Sequence, residues 1–231
     1  MKIINKNFLE KYLQDDWILS KLTQITSNQS SILTSDQWLF NDPAKRCVYH
    51  HLYCDLVNSK ENSKVLDVGG GLCNFSWSFL RHLRYEVVDT CNHDSVEDID
   101  ILLKNHEKVN LVRSDWYNFK PTQEYCYIIA NDLFPNVDQR LDEFLEKFLP
   151  VTKEIRVSLT YYNIRKTYKV SRMDGDEIFY IRPWDGYRLV KTIDQFKDRL
   201  DDYKSEKLLL NPPSIFANGR QVCILKFKGD L

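Results

Sequence analysis

Ten residues constrain this chain more than any others: Val65-Leu66-Asp67-Val68-Gly69-Gly70-Gly71-Leu72-Cys73-Asn74. A short apolar run meets an acid and then three glycines, and a helical pattern follows in Phe75-Ser76-Trp77-Ser78-Phe79-Leu80. A strand that stops on glycines and opens a helix is how α/β proteins form a nucleotide crevice. Glycine tolerates positive φ and lets a ligand approach the backbone closely. Asp67 refines the reading. An acid just before the glycines suits a cationic or hydroxyl-bearing ligand and suits a pyrophosphate poorly.

From Lys64 onward strands and helices alternate. Lys64 to Val68, Tyr85 to Asp89, Val109 to Arg113, Tyr125 to Ala130 and Glu154 to Tyr162 read as strands. Asn74 to Arg84, residues 94–104 and Val137 to Phe148 read as the helices between them. The Tyr125 run is unbroken and apolar, as in a parallel sheet covered on both faces. Such alternation implies βαβ units. The tail differs. Thr167 to Val170 and Glu177 to Ile181 flank Met173-Asp174-Gly175-Asp176, a hairpin signal. Leu189 to Leu200 reads as a helix, and Lys207 to Leu210 and Val222 to Phe227 as two closing strands. Before Lys64, residues 1 to about 60 are mostly helical in pattern, with Phe8, Leu9, Tyr12, Leu13, Trp17 and Leu19 on one face. Asp42-Pro43 predicts a helix start, with Asp42 as N-cap and Pro43 in the first turn.

At 231 residues the chain suffices for one α/β domain with an appendage. We expect an N-terminal helical cap over 1–60 and a main domain over 61–231, with a substrate-covering insertion at about 163–188. The 32 basic and 33 acidic residues leave a net charge of −1, so no strong overall field recruits nucleic acid or an anionic membrane. The six cysteines, at 47, 54, 73, 91, 126 and 223, show no C-x-x-C pair and no histidine at ligand spacing. They predict neither a zinc site nor a disulfide framework. The first residues lack the apolar core of a signal peptide, and no run reaches the ~18 apolar residues of a membrane span. A cytoplasmic location is expected.

The order of elements from about residue 40 to 231 resembles the class I S-adenosylmethionine-dependent methyltransferases. The glycine motif stands as Asp67-Val68-Gly69-Gly70-Gly71, with Cys73 where a further glycine often stands. The resemblance implies a Rossmann-like α/β fold, with a seven-stranded, mostly parallel sheet of order 3-2-1-4-5-7-6. It implies S-adenosyl-L-methionine as cofactor. Asp67 and the backbone of Gly69, Gly70 and Gly71 would receive the amino-acid moiety. Asp89, ending the second strand, would accept the ribose hydroxyls, a device shared with dinucleotide folds. Asp115 would accept from the adenine amino group, and Trp116 beside it would stack on the ring. Asn131 and Asp132, at the end of the fourth strand, would border the place of methyl transfer. Asp132 and His93 are the candidate bases.

The acceptor is less legible. Asp36-Gln37-Trp38-Leu39-Phe40 suits a lid, with Trp38 closing over the cofactor. The segment from Tyr161 to Arg188 interleaves bases and aromatics, and Tyr162, Arg165, Arg182 and Trp184 are candidate substrate contacts. A small polar acceptor, carbohydrate-like or phosphorylated, fits the near-zero net charge better than a polynucleotide. Leu133 also stands where the Asn-Pro-Pro-aromatic motif of nucleic-acid N-methyltransferases needs a proline. Two other readings compete. One is a methyltransferase-like binding subunit without activity. The other is an NAD(P)-dependent oxidoreductase, whose Gly-x-Gly-x-x-Gly fingerprint would put Asn74 at its last glycine.

Overall fold

The computed structural model describes residues 1–26, 33–105, 109–135, 138–163, 167–171, 178–181 and 183–231. The chain opens with β1 (Lys2–Ile4) and four helices, α1 (Lys6–Tyr12), α2 (Trp17–Thr26), α3 (Thr34–Asn41) and α4 (Pro43–Tyr53). The alternating part comprises β2 (Lys64–Val68), α5 (Asn74–Phe79), β3 (Arg84–Asp89), α6 (Val96–Asn105), β4 (Val109–Arg113), β5 (Tyr125–Asn131), α7 (Leu141–Phe148) and β6 (Thr152–Tyr161). The tail adds β7 (Tyr168–Ser171), β8 (Ile178–Ile181), α8 (Gly186–Ile193) and β9 (Gln221–Lys228).

Seven strands form one sheet in the order β1-β9-β6-β5-β2-β3-β4. Strands β4, β3, β2, β5 and β6 are parallel neighbours, and β9 runs antiparallel to both β6 and β1. From β2 the chain winds outward through β3 and β4. It then crosses back to β5 and winds the other way. The crevice between the carboxyl ends of β2 and β5 is therefore a topological switch point, where open α/β sheets bind ligands. As the Asp-Gly signal suggested, β7 and β8 pair antiparallel, as a separate two-stranded ribbon.

One strand differs from expectation. Lys207 to Leu210 is not the edge strand, because Ser205–Leu209 forms a 3₁₀ turn. The Asn163 amide donates to the carbonyls of Leu208 (3.1 Å) and Leu210 (2.7 Å), occupying groups a ladder would need. Pro212 and Pro213 follow and supply no N–H donors. The edge beside β9 is taken instead by β1, with Lys2 opposite Ile224 and Ile4 opposite Val222.

Side chains alternate between two cores, as strand geometry requires. Val65, Tyr85, Val87, Ile129, Val222 and Ile224 face the N-terminal helices, packing with Ile18, Leu22, Tyr49, Leu52 and Phe75. Leu66, Val68, Val88, Ile128, Ala130, Cys223 and Leu225 face α7 and α8, packing with Phe144, Phe148, Leu189 and Ile193. The helices before residue 60 share that face of the sheet with α5 and α6, whose Phe75, Trp77, Ile99 and Leu102 join the same core. Asp67 points to that face, since it shares the parity of Val65.

The N-terminal layer is pinned by polar groups. Asp42 Oδ1 accepts from the N–H groups of Ala44 (2.8 Å) and Lys45 (3.4 Å), the predicted cap of α4. Buried Arg46 donates to the Leu39 and Phe40 carbonyls at 2.7 and 2.8 Å, closing the C-terminus of α3. The same guanidinium holds Asp16 at 2.8 and 2.9 Å. Removing one partner of such a pair leaves a charge stranded, which costs on the order of 3–5 kcal/mol. Arg46→Met is expected to cost about 3 kcal/mol in urea unfolding. A loss within the ~0.5 kcal/mol of ordinary surface changes would show that α3 is held by other contacts.

Candidate active site

A cavity of about 550 Å³ opens at the switch point and is lined from both layers. Asp67 and the three glycines form its floor, with Asp89, Asp115 and Trp116 toward one end. Asn131, Asp132, Thr160 and Phe216 lie toward the other, and Ser35, Trp38, Lys45 and Tyr49 come from α3 and α4.

The glycine loop works by close approach. Gly69 and Gly71 have φ of +67° and +69°, the left-handed region that disfavours side chains. A methyl group on Gly70 would lie 2.6 Å from Asp67 Oδ1, and one on Gly71 would strike the Ser35 hydroxyl. Cys73 is extended, at φ −144° and ψ 113°, so the backbone needs no glycine there. That explains the departure from the expected pattern.

Two buried carboxylates hold this loop. Asp67 Oδ2 accepts from the hydroxyls of Tyr53 on α4 (2.8 Å) and Tyr85 on β3 (2.5 Å). Its Oδ1 is buried with no hydrogen-bond partner among the described residues. Burial raises the Asp67 pKa from 3.8 to about 6, against the lowering effect of the two tyrosines. The second carboxylate, Asp36 on α3, caps α5 from outside its own segment. Its oxygens accept from the N–H groups of Asn74 (3.0 Å) and Phe75 (3.1 Å), the Asn74 amide (3.0 Å) and the Cys73 thiol (3.2 Å). These are among the orphan donors every helix start must satisfy. The loop after β3 is tied to the same helix. Asp94 Oδ1 accepts the Thr34 N–H at 2.8 Å, and the Thr34 hydroxyl reaches the His93 carbonyl at 3.0 Å.

The strand-end acids stand as the sequence placed them. Asp89 receives the Gly71 N–H on Oδ2 (2.9 Å) and the Cys91 N–H on Oδ1 (2.6 Å), so glycine loop and acid are one unit. Asp115 is half-exposed and accepts the Tyr117 N–H at 2.8 Å. Trp116 is only 4% exposed. Its indole N–H donates to Asp138 at 2.9 Å, and its edge contacts Phe134 and Phe144, so it is a cleft wall rooted in the core. Arg140 covers it, 5.0 Å from the ring centroid.

At the far end Asn131 Oδ1 accepts the Ser158 hydroxyl at 2.7 Å, and Ser158 Oγ accepts the Asp132 N–H at 2.8 Å. Asp132 has φ +55°, a strained conformation for a residue with a side chain. Its Oδ1 accepts from Thr160 at 3.1 Å, and its Oδ2 lies 3.6 Å from Arg220. His93 is exposed on the cleft, edge-on to Trp38 at 5.5 Å between centroids. Tyr162 and Trp184 are not brought here. Both are buried and absent from the cavity wall, and Trp184 packs in the α7–α8 core with Arg188 over its ring. Arg165 and Arg182 lie outside the described residues. The sequence did not mark Tyr53, Tyr85, Asp36 as a cap, or Lys45. The only local hint was the i, i+4 pair Tyr49 and Tyr53 on one face of α4.

No protein-family profile matches the chain, and no curated protein does. Solved structures do match. The N-terminal domain of EvdMO1 with S-adenosylhomocysteine bound has a TM-score of 0.53 at 10% identity, covering 94% of this chain and 97% of that one. DhpI in its complex with the same molecule has a TM-score of 0.52 at 12% identity, covering 99% and 100%. The N-methyltransferase NodS from Bradyrhizobium japonicum, also in complex with it, has a TM-score of 0.52 at 10% identity, covering 93% and 99%. The fold is the Rossmann-like fold of the class I S-adenosylmethionine-dependent methyltransferases.

Asp67 supplies a test of the buried floor. Its folded pKa lies above the unfolded value, so the native state binds the proton more tightly. Stability therefore falls as pH rises from about 4 to about 6. Asp67→Asn should remove that slope in urea unfolding at pH 4.5 and 6.5. An unchanged slope would assign it to other groups.

Proposed function

We propose that the protein is a methyltransferase that uses S-adenosyl-L-methionine and acts on a small polar acceptor. The observation that carries this reading is Asp67, a buried carboxylate with one free oxygen beneath a glycine loop, beside a strand-end acid hydrogen-bonded to that loop. An acid in that position repels a pyrophosphate and attracts an ammonium. The residues therefore suit an adenosyl ligand with an amino-acid tail better than a dinucleotide.

When bound, the cofactor supplies a methyl group already activated on a sulfonium. The protein's work is then alignment and exclusion of water. Asp67 and the glycine backbone would receive the ammonium, Asp89 the ribose hydroxyls, and Asp115 the adenine amino group. Arg140 and Trp116 border the adenine end. Trp38 and Leu39 on α3 cover the cleft. A hydroxyl acceptor must lose a proton. Asp132, which accepts from Thr160 and has a strained backbone, would be the base that accepts it, with His93 across the cleft as the second candidate. Whether oxygen or nitrogen is methylated depends on the acceptor, for which a carbohydrate or phosphorylated metabolite remains our reading.

S-adenosylhomocysteine at about 100 times its Kd should stabilise the fold by ~2.7 kcal/mol, or roughly 5–10 °C in melting temperature, while NAD does nothing. Asp89→Ala should abolish most of that shift. Because an ammonium favours ionised Asp67, affinity should also rise as pH increases through about 6. A folded protein that melts at the same temperature with and without the ligand would remove the cofactor reading.

A further inference from the structure

One cation in the acceptor half of the cleft bonds no oxygen among the described residues. Lys45 sits in the first turn of α4, where a positive charge opposes the helix dipole. Its ammonium makes no hydrogen bond or ion pair among the described residues. The contact it does make is with an aromatic face, 4.3 Å from Nζ to the Trp38 ring centroid. Burial lowers its pKa from the usual lysine value. Asp132 and Asp42 pull the other way, and Arg220 adds to the depression.

Asp132 does not discharge this group. Its carboxylate takes the Thr160 hydroxyl and faces Arg220, whose guanidinium in turn stacks 3.8 Å from the Phe216 ring centroid. Asp42, the N-cap of α4, is the second acid near Lys45, but its Oδ1 is taken by the N–H groups of Ala44 and Lys45, and neither carboxylate bonds the ammonium. The loop carrying Phe216 and Arg220 is well fixed. The Ser214 hydroxyl donates to the Arg220 carbonyl at 2.6 Å and accepts the Phe216 N–H at 2.9 Å. A half-buried ammonium with no hydrogen-bonding partner is costly, and an anionic ligand in direct contact relieves that cost.

We propose that Lys45 is an anion receptor, taking a carboxylate or phosphate oxygen of the molecule bound between Trp38 and Phe216. The inference rests on the cleft being the cofactor and acceptor site. Two sources carry such oxygen: the amino-acid carboxylate of the cofactor, and an acidic group on the acceptor.

Matched ligands separate them. Wild type and Lys45→Met are titrated calorimetrically with S-adenosylhomocysteine and its methyl ester. Each is then titrated, with S-adenosylhomocysteine saturating, with benzoate and benzamide. The expected result is at least a tenfold loss on one carboxylate ligand and none on its uncharged twin. A loss confined to S-adenosylhomocysteine assigns the anion to the cofactor, and one confined to benzoate assigns it to the acceptor. Equal losses on charged and uncharged ligands, or no loss on either, overturn the proposal. Lys45→Gln, checked by circular dichroism, stands in if Lys45→Met does not fold. A wild-type protein that binds no S-adenosylhomocysteine is a different result and fells the cofactor reading itself. The preference for benzoate over benzamide, repeated without cofactor, then decides whether Lys45 binds anions at all.

Discussion

The carboxylate of Asp67, buried between the hydroxyls of Tyr53 and Tyr85, is the contact on which the cleft depends. It ties α4 from the N-terminal layer to the paired strands β2 and β3. A lone carboxylate would not survive such burial. Two hydroxyls satisfy one oxygen, and the other is left directly below the glycines. The floor of the cleft is thus built partly from a helix that precedes the sheet in the chain.

Asp36 performs the complementary task from above. Cys73 stands at the N-cap position of α5 and offers no carboxylate or hydroxyl to cap it. Leu33, at the N-cap of α3, offers no acceptor either, and Asp94 serves there. Each helix start is therefore capped by a residue from a different segment, and the two exchanges cross the cleft. A ligand enters a frame whose backbone donors are already aimed. Preorganisation of this kind reduces the ordering that binding must otherwise impose.

Much of this was legible before the structure. The apolar runs of β2, β3, β4, β5 and β6 read correctly because both faces of a covered parallel strand are apolar. Asp42-Pro43 read correctly because an N-cap is local chemistry. Asp89 and Asp115 read correctly as strand-end residues, and Asp67 as the acid ahead of the glycines, because a change of rhythm marks where a strand stops. What failed was non-local. Nothing in Lys2-Ile3-Ile4 states that its partner lies over two hundred residues away, and the apolar run at 207–210 was the more obvious strand. Tyr162 and Trp184 have side chains suited to binding, but both are buried where their two segments meet, at the bridge of Tyr162 to Asp185 and the bond from the Tyr162 N–H to the Trp184 carbonyl. Asp36 and Lys45 look like ordinary helix residues, and their roles appear only once α3 and α4 are laid against the sheet.

The placement of β1 carries a consequence for how the molecule is assembled. Its register joins Lys2 to Ile224, so the edge of the sheet closes a loop of most of the chain. Closing a flexible loop of that length costs about 5 kcal/mol in chain entropy, far beyond what three residue pairs return if they form early. Residues 222–224 are synthesised more than two hundred residues after residues 2–4. β1 must therefore wait unpaired until β9 has been made, although it precedes every other strand of the sheet in the chain.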